Sequence, residues 1–278
     1  MSSAPPTESL NDILDTAGDT LYGLNHHPST IQALVEALAN HETPPTTHLL
    51  AKKRTFNDAF DPFWVGATAS DLIATDTLHC HLSESGHAPI FVSDAGIESV
   101  VFATPITELP GTDSVDAANI PIVRITGNGE TPSEALDVLS EVITETEPYE
   151  LYTPPLSDTL DAMENHFNTE IRETFRRGIK HVYLHDSQAD YVYVPTLVAA
   201  MYDLQYYDLG LWAEMSEFSS KTTLSRAKTP LEEQDIITTE PSETPQRRTP
   251  QGRPRQKLTL TEEYTPIDDI TTLLDSVE

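Results

Sequence analysis

Leu209-Gly210-Leu211-Trp212-Ala213-Glu214-Met215, then Ser216-Glu217-Phe218, then Ser219-Ser220, then Lys221-Thr222-Thr223-Leu224-Ser225-Arg226-Ala227-Lys228-Thr229 is the stretch whose reading decides the fold. Leu209 to Met215 reads as a helix with Leu211 and Trp212 as its bulk. Three residues connect it to Ser219 or Ser220, either of which suits the N-cap of a following helix because a serine oxygen accepts from a free N-terminal amide. Helix, short turn, helix is the spacing of a helix-turn-helix, whose second helix enters the major groove of DNA. Leu224, Ala227 and Leu231 recur at i, i+3 and i+7 and face inward. The opposite face then offers Thr222, Thr223, Ser225, Arg226 and Thr229, with Lys221 and Lys228 at its flanks and no Asp or Glu between Lys221 and Leu231. Arginine pairs bidentately with guanine, threonine methyls touch thymine methyls, and hydroxyls or lysines hold phosphates.

Outward from this stretch, Leu197, Ala200, Met201 and Leu204 form the buried side of a preceding helix. Downstream, Ile236 to Thr239 and Lys257 to Thr261 read as the two strands of a wing. The loop between them carries Arg247, Arg248 and the turn Gly252-Arg253-Pro254-Arg255. Arginines so placed suit the phosphate backbone or the minor groove, the alternative being a disordered basic loop. The region expected to bind DNA is residues 191–262, with Ser220, Lys221, Thr222, Thr223, Ser225, Arg226, Lys228, Arg253 and Arg255 as its candidate contacts.

Charge supports this placement. From Lys221 to Lys257 there are eight basic and five acidic residues, a net +3 in a chain whose formal net charge is -29, so everything else stands at -32. Half of the sixteen cations lie in one short segment, as binding to a polyanion requires. The acidic remainder fits a cytoplasm of molar salt, where the Debye length falls to about 3 Å and like charges repel little. The composition reads as halophilic.

At 278 residues, 38% of them hydrophobic, the chain can bury a core and is long enough for two domains. No cationic n-region with an apolar run opens it, and no segment reaches the ~18 apolar residues of a membrane span. A soluble, cytoplasmic protein is expected, with no membrane partner. Cys80 is the single cysteine, which excludes an intrachain disulfide. His79 and His81 flank it, but in a strand they face away from Cys80, so the three do not converge on an ion and ordinary strand residues are the reading. No metal and no cofactor are expected.

Residues 1–8 are polar and Pro-rich and read as a disordered tail. Residues 9–150 alternate strand and helix signals: strands at Thr20 to Gly23, Thr47 to Ala51 and Leu78 to Leu82, with helical stripes at Ile31, Leu34, Val35, Leu38 and from Phe56 to Ile73. Pro89 to Ser93 and Ser99 to Ala103 flank Asp94-Ala95-Gly96 as a hairpin, and Ile120 to Ile125 is a further strand. This order argues for an α/β layer with an antiparallel pair at one side. Gly127-Asn128-Gly129 lacks the third glycine of a dinucleotide-binding turn and reads as a plain turn. Thr131-Pro132-Ser133-Glu134 matches a capping box, opening a helix with Leu136, Leu139, Val142 and Ile143 on one face. In the connecting region, residues 151–190, Leu160, Met163, Phe167, Ile171, Phe175 and Ile179 read as the seam of one long helix. Arg172, Arg176, Arg177 and Lys180 lie outside that seam, as a solvated intramolecular face, a dimer seam or an auxiliary DNA-backbone contact. Residues 263–278 hold a short helix that must dock, on its own domain or on a second copy.

The residues from Leu211 to Glu214, from Ser220 to Thr229, Leu231-Glu232 and Gly252-Arg253-Pro254-Arg255 resemble the haloarchaeal transcriptional regulators of the TbsP type. The resemblance runs from about Leu10 to Leu260 and is strongest from Val194 onward. It implies a winged-helix DNA-binding domain behind an α/β domain that senses a metabolite, in a regulator linked to central carbon metabolism. Three departures stand out: Pro230, which predicts a kink or an early end to the third helix; Asp235 where a glycine usually closes it; and a longer loop from Pro241 to Gln251. A homodimer on double-stranded DNA is expected, since winged-helix regulators commonly bind two half-sites by two-fold symmetry. The alternatives are an adaptor whose winged helix meets a protein and an α/β hydrolase. The second is disfavoured because no serine elbow, P-loop or paired histidine spacing is present.

Overall fold

Pro28 and Ser29 start the first crossover. Proline suits the first helical position because its missing N–H needs no partner there, and His27 caps the helix by accepting from Ser29 N at 3.3 Å through Nδ1. Helix α2, after α1 (Pro6–Thr16), runs Pro28–Asn40 between strands β1 (Thr20–Leu24) and β2 (Thr46–Ala51). Its stripe of Ile31, Leu34, Val35 and Leu38 is buried as the spacing predicts. The computed structural model describes residues 6–84, 89–93, 100–103, 122–125, 131–185, 190–241 and 256–277. The polar stretch expected to end at residue 8 enters α1 at Pro6, a second proline at a helix start, and Leu10, Ile13 and Leu14 of α1 are buried.

The region from Phe56 to Ile73 forms two helices where the sequence suggested one: α3 (Lys53–Phe60) and α4 (Phe63–Ala74). Pro62 breaks them: it cannot donate to the preceding turn and takes an extended backbone at ψ 122°, while Asp61 before it is still helical at φ -57°, ψ -44°. Pro62 sits instead at the N-cap of α4. Strand β3 (Leu78–Leu82) follows, then β4 (Ile90–Ser93), β5 (Val100–Ala103) and β6 (Ile122–Ile125). They build one six-stranded sheet of order β3-β2-β1-β4-β5-β6. β1, β2 and β3 are parallel, and the β1–β4, β4–β5 and β5–β6 pairs are antiparallel. The antiparallel part is thus three strands deep. The turns at Asp94-Ala95-Gly96 and Gly127-Asn128-Gly129 lie outside the described residues. Helix α5 (Thr131–Glu145) begins at the expected threonine.

Leu21, Leu49, Leu78 and Cys80 are buried on one face of the parallel strands. Burial pushes the Cys80 thiol well up, so it stays protonated. Alternation sends the flanking histidines to the other face, as expected. There His48, in register with His79, stacks on Tyr22 and His79 with ring centroids 5.3 and 4.7 Å apart. Burial, then the neighbouring charges of His79 and His81, hold His48 down at about 4 against Asp76, which pulls the other way. The fold therefore favours neutral His48, and its contribution is complete above the ordinary value of about 6.5 and is lost as pH falls toward 4. Compared with His48→Gln, which does not titrate, the native chain is expected to lose on the order of 1–2 kcal/mol across that window, after allowance for solvent screening of a half-buried ring. Thermal unfolding of both proteins at steps between pH 7 and 4 checks it, and parallel curves would exclude the coupling.

Two compact units divide the chain, Met1–Pro155 and Leu156–Glu278. In the second, the expected long seam helix is α6 (Leu156–His166) and α7 (Thr169–Leu184). Asn168 separates them: it leaves the helical region at φ -170° and its side chain accepts from Ile171 N at 2.9 Å, capping α7. The periodicity crosses the break undisturbed, so Leu160, Met163, Ile171, Phe175 and Ile179 are all buried in this unit. The arginines of α7 are held by carboxylates of the same unit: Arg172 by Glu164 and Glu173, Arg176 by Glu173, and Arg177 by Asp269. The C-terminal helix α11 (Ile270–Asp275) docks on α7. Gly178 permits that approach, since a Cβ there would meet Val194 at 2.6 Å and Ile270 at 3.1 Å. No helix of the described residues is long and apolar enough to cross a membrane.

Candidate nucleic-acid interface

The helix-turn-helix is built from α8 (Tyr193–Met201), α9 (Tyr206–Met215) and α10 (Lys221–Glu233). Its angle is fixed by an aromatic cluster. Trp212 of α9 and Phe218 of the connection pack edge-on against Phe175 of α7 at 5.2 and 5.5 Å, and their own rings lie 5.2 Å apart. Trp212 is 1% exposed. The turn after α9 passes through Glu217 at φ 56°, and Ser219 N donates to Ala213 O at 3.3 Å. Ser220 is the N-cap of α10, its Oγ accepting from Thr223 N at 3.1 Å.

Pro230 does not end α10 early. The helix continues to Glu233, because a proline in the last turn sacrifices a single backbone bond, the one to the Arg226 carbonyl. Asp235 takes the left-handed role of a closing glycine at φ 54°, and Asp235 N to Glu232 O at 3.2 Å with Ile236 N to Leu231 O at 3.0 Å completes a Schellman ending. Asp203, at φ 56°, closes α8 the same way through Leu204 N to Ala199 O at 2.8 Å. Aspartate enters this backbone region more readily than most side chains, which lets an acidic chain cap helices without glycine.

Leu224, Ala227 and Leu231 are buried as expected. Thr222, Ser225, Arg226 and Thr229 are exposed and contiguous, being three or four residues apart along a helix about 20 Å long. The other candidates are placed differently. Ser220 and Thr223 are engaged with each other in the cap, their hydroxyls 2.9 Å apart. Lys221 lies across Gly210, whose missing Cβ leaves room for its stem, and its ammonium pairs with Glu214. Ser220 and Lys221 are exposed at the start of the helix, and Thr223 is half-buried.

Lys228 turns inward. Its Nζ is 2.8 Å from Glu232 Oε1, 3.2 Å from Thr239 Oγ1 and 5.5 Å from the centre of the Tyr206 ring. Thr239 also donates to Glu232 Oε1, at 2.6 Å. Burial alone would raise the Glu232 carboxyl, but the bonds from Lys228 and Thr239 and the Lys228 charge bring it below its ordinary value. This group joins α10 to the wing strand and to the start of α9, which sequence periodicity had no means of showing. Lys228→Met is expected to cost about 1–3 kcal/mol of stability, because it leaves Glu232 and Thr239 short of a partner, with base preference intact. Denaturant unfolding together with binding to a panel of altered duplexes separates the two effects.

The wing is β7 (Ile237–Pro241) paired antiparallel with β8 (Gln256–Leu260), Ile237 opposite Leu260. Leu258 N donates to Leu204 O at 3.0 Å and Lys257 pairs with Asp203 at 3.0 Å, fastening the wing to the end of α8. Arg247, Arg248, Arg253 and Arg255 lie outside the described residues. Of the four cations described between Lys221 and Lys257, Lys221, Lys228 and Lys257 each meet a carboxylate, and only Arg226 has no ion-pair partner among the described residues. The helical part of the basic stretch is therefore close to neutral, with one available guanidinium beside three small hydroxyl side chains.

No curated protein matches the chain. Among solved structures it is similar to TrmBL2, an archaeal chromatin protein described as showing a novel mode of DNA binding. The identity is 13%, over 52% of this chain and 49% of that one, and the TM-score of 0.34 is too low to bear on fold or function. Family models are more informative: residues 3–119 match the N-terminal region of the TbsP-like transcriptional regulators, and residues 155–278 match their C-terminal helix-turn-helix domain. With both halves matched in order over most of its length, the chain belongs to the TbsP-like transcriptional regulators.

Proposed function

We propose that this transcription regulator reads a specific duplex sequence with the outer face of α10, as a homodimer in the cytoplasm of a halophilic archaeon, at promoters of metabolic genes. The observation that carries the reading is the exposed row of Thr222, Ser225, Arg226 and Thr229 on a capped helix whose inner face is fully buried. Lys221 serves at the helix start, exchanging Glu214 for a phosphate. Arg253 and Arg255 serve from the wing, on the backbone or in the minor groove. Ser220 and Thr223 act by shaping the N-terminus of α10, and Lys228 by fixing the helix to the wing. The near-neutral helix suits molar salt. Counterion release contributes little to affinity there, so base-edge contacts and fit carry more of it. The α/β unit is the place for a small-molecule signal, and the protein is a regulator without enzyme activity.

Selection from a random duplex pool in molar KCl, followed by gel shift of the enriched site, tests this. A palindromic site bound by two chains is expected. Enrichment of no sequence over the starting pool would leave only non-specific adhesion, and capture of a protein by the winged helix without any DNA shift would favour the adaptor reading.

A further inference from the structure

The parallel pairing of β2 with β3 gathers three imidazoles on one half-exposed sheet face: His48, His79 opposite it, and His81 two residues further along. His48 Nδ1 and His81 Nε2 are hydrogen-bonded at 3.4 Å, and a change of tautomer in the donor ring would turn both lone pairs toward the space between them. Two nitrogens bound to one ion at about 2.0–2.1 Å in tetrahedral geometry are separated by about 3.3–3.4 Å. A right-angle arrangement at the same bond lengths brings them to about 2.9 Å. We propose that His48 and His81 form a two-nitrogen clamp for a tetrahedral first-row transition ion such as Zn2+, with its remaining positions open to water or a small ligand. Imidazole suits such an ion of intermediate softness. His79 is a brace: its ring lies 4.7 Å from that of His48, and its Nε2 is 3.5 Å from Asp76 Oδ1. Cys80 is buried on the opposite face and takes no part. Among the described residues no three His, Cys, Asp or Glu side chains converge on one ion. The clamp is thus exchangeable, a site for sensing an ion or an ion-bound anion and not for building a core around one.

The competing histidine pair is His181 and His185 at the end of α7, with ring centroids 4.3 Å apart, where His181 Nε2 is already bonded to Asp275 at 2.8 Å. The test is Co2+ titration of the untagged full-length protein in molar KCl, where general attraction to the acidic surface is screened. One equivalent with the visible absorption of four-coordinate Co2+ is expected. Affinity should fall at least about tenfold in His48→Ala and in His81→Ala, as loss of half of the protein ligands implies, and stay unchanged in the double variant His181→Ala/His185→Ala. Because either single variant could disturb the sheet, Zn2+ protection of the native chain is the second readout. Zn2+ should slow diethylpyrocarbonate modification of His48 and His81 and leave His27 unaffected. No four-coordinate spectrum, unchanged Co2+ affinity in either single variant, loss of affinity in the α7 double variant, or protection absent from His48 and His81 would each overturn the proposal.

Discussion

Replacing Arg226 by alanine is expected to weaken specific DNA binding by about 1–3 kcal/mol, roughly five- to 150-fold, and to relax preference at one base position per half-site. The side chain is exposed, has no ion pair among the described residues, and lies centrally on the outer face of α10 between Thr222 and Thr229. Those facts also predict what does not change. Surface positions without partners usually alter stability by less than about 0.5 kcal/mol, so unfolding should be near native. A titration of the selected duplex with native and Arg226→Ala protein, at one fixed KCl concentration, measures the loss. Arg226→Lys is informative because lysine keeps the charge and loses the bidentate fork. If the lysine variant binds as the native protein does, the residue holds a phosphate and another side chain reads the base.

Trp212→Ala is expected to have the largest effect on the fold. The indole is 1% exposed and touches both Phe175 and Phe218, so its removal takes away the contact that sets α9 and the turn before α10 against α7. Truncation of such a buried aromatic costs about 3–5 kcal/mol, much of the 5–15 kcal/mol that holds a typical domain together. The C-terminal unit should unfold at a clearly lower denaturant concentration, with specific DNA binding lost in proportion to the unfolded fraction. Trp212→Phe keeps the ring and should recover most of the loss. Equal behaviour of the alanine and native proteins in denaturant would mean that the aromatic cluster does not set the helix-turn-helix.

The parts of this molecule that were legible in the sequence are those decided within one or two helical turns. The serine cap of α10, expected at Ser219 or Ser220 and found at Ser220, the stripe of Leu224, Ala227 and Leu231, and the stripe of Ile31, Leu34, Val35 and Leu38 in α2 are local matters, and the structure has them where the residues put them. Periodicity misled where it outlasted the backbone. Met163, Phe167 and Ile171 keep a spacing of four across Asn168, so one stripe covers two helices. Asp61-Pro62 was a visible breaker, yet apolar residues on both sides continued the pattern over it. Pro6 counted toward a tail by composition, although Leu10, Ile13 and Leu14 beyond it already had helical spacing.

Side-chain destiny was less legible than backbone. Lys228 has the position of a flanking DNA contact, but a wing strand brings Thr239 beneath it and α9 brings Tyr206, neither of which its own helix announces. His48 lies 31 residues before His79, and only strand pairing sets the two side by side. The net +3 of the basic stretch was a correct count, but Lys221 and Lys257 pair with Glu214 and Asp203 from outside it, and Lys228 pairs with Glu232 within it, so Arg226 is the one cation of α10 with no ion-pair partner among the described residues. The exposed outer side of α10 is therefore defined by shape and hydrogen-bonding groups more than by charge.

Whether that face enters the major groove is the central claim, and affinity cleavage tests it most directly. Thr222→Cys places a reactive thiol on the outer side of α10, while the native Cys80 is buried and unreactive. With an iron chelate attached at residue 222, cuts are predicted within each half-site of the selected duplex, with the strand offset of the major groove. Cleavage only outside the half-sites, or across the minor groove, by a labelled protein of native affinity would contradict the placement of α10.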